Sequence, residues 1–218
     1  MMAVQQKETL EKMYQVCNMM ADSTGIREKL DLDDEIQFSD ILKMDMLCYM
    51  AYLAAADGVI SWKESRYIGE LFDVNMTPEK LNKFIMDKNI YSTEFENNPP
   101  LMLQIMVAFD NAIYNSPVAS DFEEELGDGL MKLYILMTKG LVEANDRTTD
   151  EMDPNEENDA QTYLGMIQNY IDENTEKHHT DIIIDYSKKT ATNGRTGVKA
   201  PEKNMCGAKP VKAPRKRA

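Results

Sequence analysis

The chain has 218 residues, of which 43% are hydrophobic, and a formal net charge of −14. This length and hydrophobicity are sufficient for one folded domain with a core, and the acidic character argues against nucleic-acid binding by the body of the protein. No run of about 18 apolar residues is present, as a membrane-spanning helix would need. The first residues lack the pattern of a signal peptide, and three irregularly spaced cysteines argue against a disulfide framework, so we expect a cytoplasmic protein.

The charge is unevenly distributed along the chain. Residues 187–218 contain ten Lys or Arg and a single acid, Glu202, which gives this stretch +9 and leaves −23 on residues 1–186. Residues 187–218 are rich in Lys, Pro, Gly, Ala and Thr and have no periodic apolar face, which is typical of disorder. We predict a helical domain at 5–173 and a basic, mostly disordered tail at 174–218. Three roles are open for the tail: contact with an acidic surface of this chain or another copy, binding of anionic lipid or nucleic acid, or solubilisation.

Apolar residues at spacings of three and four predict helices at about 3–21 and 25–31. Ser39 is the predicted N-cap of the next helix, Asp40 to about Ala56, whose centre is apolar all round and is therefore expected in the middle of the domain. Five further helices complete the prediction: Trp62–Phe72, one from Pro78, Pro99–Asn115, about Ala119–Ala144, and Pro154 to about Asn174.

Two helix starts carry the same capping signature. Ser61 and Glu64 form one capping box, and Asp153 and Glu156 form a second. Each box follows an apolar helix and an acidic turn, and apolar residues recur four, seven and eight positions after each glutamate. The predicted fold is therefore all-α, a single bundle of about seven helices with an internal pseudo-repeat of helix hairpins.

The first acidic turn lies in "YMAYLAAADGVISWKESRYIGELF" and has the spacing of the second half of an EF-hand calcium loop. The residues at loop positions 5, 6, 7, 9 and 12 are Asp57, Gly58, Val59 (through its carbonyl), Ser61 and Glu64. Positions 1 and 3 fall on Leu53 and Ala55, which have no ligand oxygen. The same residues also fit a helix hairpin without metal, in which Gly58 adopts a left-handed conformation and Ile60 packs on the core.

The second acidic turn, Glu143 to Asp159, gathers many carboxylates, whose repulsion a cation would relieve. The alternative is a solvated loop whose acids cap a helix. If the hairpins pack side by side, both turns share one face and form one or two oxygen-only sites. The predicted ligands for Ca²⁺ or Mg²⁺ are Asp57, Val59, Ser61, Glu64, Asp146, Asp153 and Glu156.

The stretch "LAAADGVISWKES" resembles the signature of the tellurite-resistance TerB-like domain family, and the resemblance extends over about residues 5–173. The matching positions are Ala54, Ala56, Asp57, Gly58, Ile60 and Glu64. The resemblance implies a bundle of about seven helices, acidic sites for divalent metal, and a cytoplasmic scaffold or sensor role in stress response, often near the inner face of the membrane. The second turn departs from the pattern, since Asn145-Asp146 stands where a second Asp-Gly is expected.

We expect no enzymatic activity. The only histidines, His178 and His179, lie next to the tail, no P-loop or dinucleotide motif is present, and Cys17 and Cys48 are predicted packing residues. Trp62 is expected to cover the hairpin junction. The primary functional hypothesis is a divalent-cation-binding scaffold or sensor of the tellurite-resistance type, with protein partners that include a membrane-associated complex. The alternative is a metal-independent protein-interaction module that uses an acidic helical face and the basic tail.

Overall fold

The structure is a computed structural model that describes residues 2–20, 25–114, 125–145, 147 and 152–175. These residues form helices and contain no strand, as the all-α prediction requires. Seven helices have ten or more residues and two are short. In chain order they are α1 (Met2–Met19), α2 (Ile26–Lys29), α3 (Phe38–Ala54), α4 (Trp62–Phe72), α5 (Pro78–Asp87), α6 (Thr93–Asn97), α7 (Leu101–Tyr114), α8 (Leu126–Ala144) and α9 (Pro154–Asn174).

Helix α3 lies in the middle of the bundle, as its apolar centre predicts. It packs against α1, α4, α5, α7, α8 and α9. Tyr49 and Tyr52 on α3 are buried and contact the ring of Tyr163 on α9, at centroid distances of 4.8 and 5.9 Å. Aromatic pairs at these distances add to the free energy gained by burial, so α3 and α9 form one core.

The structure confirms both predicted capping boxes and the N-cap of α5. The Ser61–Glu64 box starts α4 and the Asp153–Glu156 box starts α9. Thr77 caps α5, with Pro78 as the first helical residue. These caps were predictable because each depends on residues within one helical turn of each other.

The predicted N-cap of α3 is wrong. The helix starts at Phe38, and Gln37 holds the cap position without a side-chain hydrogen bond. Phe38 is buried beneath the guanidinium of Arg27, which lies 4.5 Å from the ring centroid and donates to the carbonyl of Ile36. Because Phe38 is buried as part of the helix, α3 begins one residue before Ser39 and not after it.

Other differences from the prediction concern one short helix and the ends of longer ones. Helix α6 was not predicted, and the predicted start of α8 near Ala119 lies outside the described residues. The described start of α8 is capped by Asp110 of α7, which accepts hydrogen bonds from the backbone N–H groups of Leu126 and Gly127 at 3.0 and 2.9 Å. A carboxylate near a helix N-terminus satisfies otherwise unpaired N–H groups.

Helices α4 and α9 bury the same positions relative to their capping glutamates. These residues are Ile68, Leu71 and Phe72 on α4, and Ala160, Tyr163 and Leu164 on α9. A two-fold relation between complete hairpins remains a prediction, as does the domain boundary at 173, and residues 176–218 of the tail lie outside the described residues. Within the described part of the chain, no helix has the length and apolarity needed to cross a membrane.

Candidate functional site

The first acidic turn is held by bonds within the hairpin. The Asp57 Oδ1 atom accepts a hydrogen bond from the backbone N–H of Val59 at 2.7 Å, and Gly58 has φ +81°, in the left-handed region that glycine adopts without strain. Ile60 is buried in the core, as predicted. The Asp-Gly-Val-Ile sequence therefore builds a tight turn between α3 and α4.

The structure brings the two acidic turns together at Asn145. Its Nδ2 atom donates to Glu64 Oε1 at 2.6 Å, and its Oδ1 atom accepts from Ser61 Oγ at 3.1 Å. The other oxygen of Glu64, Oε2, accepts from the Ser61 backbone N–H at 2.7 Å. Glu64 is only 2% exposed, yet both of its carboxylate oxygens have a donor. We call Ser61, Glu64, Asn145, Arg147 and Glu156 the junction.

Arg147 neutralises the second buried carboxylate of the junction. Its Nη1 atom lies 3.1 Å from Glu156 Oε2, which also accepts from the Asp153 backbone N–H at 3.3 Å. The other oxygen, Oε1, is buried and has no hydrogen-bond partner among the described residues. Glu156 thus has one satisfied and one unsatisfied oxygen at a residue exposure of 2%.

Burial raises the pKa of Glu156 from 4.5 to about 7. The Arg147 guanidinium and the Asp153 N–H lower this pKa, whereas the charges of Glu64 and Asp57 raise it further. Three carboxylates of the two turns are therefore close enough to influence one another, and Glu156 exchanges its proton near neutral pH.

The described members of the predicted cation-ligand set do not by themselves fit a Ca²⁺ or Mg²⁺ site. Ca²⁺ takes six to eight oxygen ligands, and the described residues include no group of three or more His, Cys, Asp or Glu that could hold a metal ion. Asp57 and both oxygens of Glu64 already accept hydrogen bonds, and so does Asp153, from the backbone N–H of Asn155 at 2.8 Å. Asp146 lies outside the described residues.

The prediction for Trp62 is wrong. Its side chain is 65% exposed, and that of its neighbour Val59 is 53% exposed, so Trp62 points away from the bundle and does not cover the junction. The position has a physical reason: Trp62 is the first residue of α4, and the inward face of that helix begins with Glu64 and Ser65, which are buried. Trp62 follows Ser61 of the junction directly in the chain.

Sequence reasoning missed the roles of Asn145 and Arg147. Arg147 is the one basic residue between Glu143 and Asp159, and this isolation in an acidic stretch was a signal for an internal ion pair. Asn145 was noted only as a departure from Asp-Gly. Its partners Ser61 and Glu64 lie more than 80 positions earlier in the chain, so only the fold identifies its role.

A half-buried carboxylate, Asp45, lies in a separate pocket of about 390 Å³ that Cys48 also lines. Asp45 Oδ2 accepts from the Met102 backbone N–H at 2.7 Å, at the start of α7, and burial raises its pKa to about 7. Burial also raises the pKa of the Cys48 thiol to about 12. A thiol with this pKa is a weak nucleophile at neutral pH, consistent with a packing role.

Comparison of the chain with protein-family models, curated proteins and solved structures finds no match. The TerB-like resemblance therefore remains a prediction.

Proposed function

We propose that the chain is a non-enzymatic protein-interaction module whose two acidic turns are joined by internal bonds and need no bound cation. The observation that carries the proposal is the Asn145 side chain, which donates to Glu64 and accepts from Ser61. A neutral amide connects these groups without adding a negative charge to the acidic junction. A carboxylate at the same position would repel Glu64, unless the two groups shared a proton or a cation.

The ion pair between Arg147 and Glu156 supports the same proposal. The guanidinium lies where two turns bring several carboxylates together, and it provides part of the positive charge that a metal ion would otherwise bring. Buried charges are stable only when they are paired or hydrogen-bonded. Arg147 and Asn145 together supply this compensation from within the chain.

The surface charge supports basic partners. Helix α9 carries five acidic residues and no basic one, and residues 1–186 carry −23. A surface of one sign accelerates association with partners of the opposite sign and repels nucleic acid. The resemblance to the TerB-like family supports a cytoplasmic stress-response setting for such a module, with a membrane-associated complex among its partners.

A cation titration of the full chain tests the proposal. In chelator, and then in millimolar Ca²⁺ or Mg²⁺, we expect the Trp62 emission and the melting temperature of the wild type to stay the same. Asn145→Ala should lower the melting temperature equally with and without ion, because it removes an internal bond. A saturable shift of the wild type with ion would contradict the proposal.

A cation-responsive scaffold or sensor is the second candidate, and the unpartnered Oε1 atom of Glu156 favours it. A buried carboxylate oxygen without a donor is a free ligand position for a cation. This candidate predicts a saturable Trp62 response that is lost in Glu156→Gln and kept in Glu157→Gln. Glu157 is the matched control because it is the exposed neighbour of Glu156 on α9.

A further inference from the structure

A groove of about 790 Å³ runs along the outer face of α9, next to α6. Its lining includes Glu96, Asn158, Gly165, Met166, Tyr170 and Glu173, and we call it the α9 groove. From Asn158 to Glu173 the helix rises about 22 Å, at 1.5 Å per residue. The α9 groove is therefore long enough for about seven residues of extended chain.

The chemistry of the α9 groove suits a basic peptide. Glu96 and Glu173 are carboxylates, and none of the described residues that line the groove is Lys, Arg or His. Asn158 and Asn169 bring exposed side-chain amides, which can pair with both N–H and C=O groups of a peptide backbone. The half-buried side chains of Met166 and Tyr170 add apolar surface for the stems of Lys and Arg.

Gly165 keeps the α9 groove open. A glycine inside a helix costs about 1 kcal/mol relative to alanine, and it is often explained by a close neighbour that leaves no room for a side chain. A Cβ atom at Gly165 would meet nothing within 4 Å. Packing therefore does not require this glycine, whereas a side chain there would fill part of the groove.

We propose that the α9 groove binds the basic segment Lys209–Arg217 of the same chain. The segment reads "KPVKAPRKR" and contains five Lys or Arg and no acid, so its charge is opposite to that of the groove. Pro210 and Pro214 fix their own φ near −65° and favour an extended backbone in the residues before them. An extended stretch of nine residues is long enough to cover the whole groove, which takes about seven, and its charge is opposite to that of the groove.

The connection along the chain permits this contact within one molecule. Helix α9 ends at Asn174, next to the Glu173 end of the α9 groove, and residues 175–208 link it to the segment. A linker of this length spans the groove many times over and gives the segment a high effective concentration. This inference deepens the proposed interaction function by naming the acidic surface and its basic partner.

A spin label on the full-length chain tests the contact. Cys206 lies three residues before Lys209, and a maleimide nitroxide at neutral pH reacts with it selectively, because burial raises the thiol pKa of Cys17 and Cys48 to about 12. In NMR spectra, the nitroxide weakens the amide signals of residues close to it. We expect the signals of Asn158, Gly165 and Asn169 to lose more intensity than those of α5, and we expect this difference to disappear at high salt. Equal losses on α5 and on α9 would overturn the proposal.

Two variants and one mixing experiment sharpen the test. Gly165→Leu fills the groove and improves helix propensity. This variant and Glu173→Lys should each abolish the selective loss of signal intensity on α9. Glu79→Lys changes the charge equally on exposed α5 and should preserve it. Selective loss that survives both groove variants would overturn the proposal. So would loss that appears when a spin-labelled chain is mixed with an isotope-labelled chain without the spin label, since that would mean contact between two molecules.

The failure of this inference is distinguishable from the failure of the proposed function. The nitroxide experiment contains no added divalent ion and measures amide signal intensities on α9 and α5. The cation titration measures Trp62 emission and the melting temperature. A groove that stays empty leaves the junction argument unchanged, and a cation response leaves the groove argument unchanged.

Discussion

Asn145 joins two parts of the chain through the two ends of one amide. Its nitrogen faces the Glu64 carboxylate and its oxygen faces the Ser61 hydroxyl, so each end meets a group of complementary hydrogen-bonding character. The isosteric change to aspartate keeps the shape and replaces the donor with a second negative charge. The residue is thus the most direct test of how the acidic turns are joined.

We expect Asn145→Asp to destabilise the chain by about 1–3 kcal/mol, because Glu64 loses a donor and gains a repelling neighbour. Thermal unfolding in the presence of chelator measures this change, with an expected drop of several degrees. Asn82→Asp, which changes an exposed amide on α5, is the control and should have little effect. An Asn145→Asp protein as stable as the wild type would contradict the role of the amide.

Glu156 predicts a pH dependence of stability. Its pKa is about 7 in the folded chain against an ordinary value of 4.5, so the folded state holds a proton that the unfolded state releases first. The contribution of Glu156 to the free energy of unfolding is fully present below about pH 4.5, decreases as the pH rises towards about 7, and is lost above that pH. We expect Glu156→Gln to weaken this decline of stability between pH 4.5 and 8, because an amide does not titrate in this range.

Asp45 provides the control for that measurement. Burial also raises its pKa to about 7, so Asp45→Asn should remove a separate part of the same decline. Denaturant unfolding of the two single variants and the double variant between pH 4.5 and 8 measures both parts. A wild type whose stability rises with pH over this range would show that neither carboxyl is protonated in the folded state.

Among the helices, two glycines have opposite roles. Gly140 on α8 lies against α4, where an added Cβ would collide with the hydroxyl of Tyr67 and approach Gln6 Nε2 to 3.1 Å. Gly165 on α9 faces open space. The first glycine allows two helices to approach closely, and the second leaves a groove open.

We therefore expect opposite signs for the same substitution. Gly140→Ala should destabilise by about 1–3 kcal/mol because it overpacks the α4–α8 contact, whereas Gly165→Ala should stabilise by about 0.5–1 kcal/mol through helix propensity. Chemical denaturation of both variants under the same conditions provides the comparison. If Gly165→Ala also destabilises, the space above that residue is not open in solution.

At the scale of the whole molecule, the main feature is the contrast between the acidic part of the chain and its basic end. Residues 187–218 carry +9 and residues 1–186 carry −23. Opposite charges on one chain attract at low ionic strength and are screened at high ionic strength. The same contrast underlies the predicted domain boundary and the proposed contact in the α9 groove.

Limited trypsin digestion tests the predicted boundary. We expect the first cuts after Lys or Arg residues between Lys188 and Arg217, since basic residues in packed helices are protected by backbone hydrogen bonds. Cuts at Lys209 to Arg217 should be slower at low salt than at high salt if the segment binds the groove. Early cuts within α3 to α5 instead would contradict a stable helical domain.

The sequence by itself determined the seven longer helices and the starts of three of them, α4, α5 and α9. The capping boxes at Ser61 and Asp153, the left-handed Gly58 and the buried stripe of α4 all follow from hydrogen bonds and side-chain periodicity within one or two turns. Where distant packing competed, as at Phe38 beneath Arg27, the local rule failed.

Only the tertiary structure decided how the acidic turns are compensated and where a groove lies. The Asn145–Glu64 bond joins residues 81 positions apart, and the α9 groove combines a helix with a segment some 60 residues earlier. No local pattern contains these pairs, because they depend on which helix faces pack together. The acidic composition indicated a cation site, which stays a prediction, and only the fold shows that an amide bonds to Glu64 and a guanidinium pairs with Glu156.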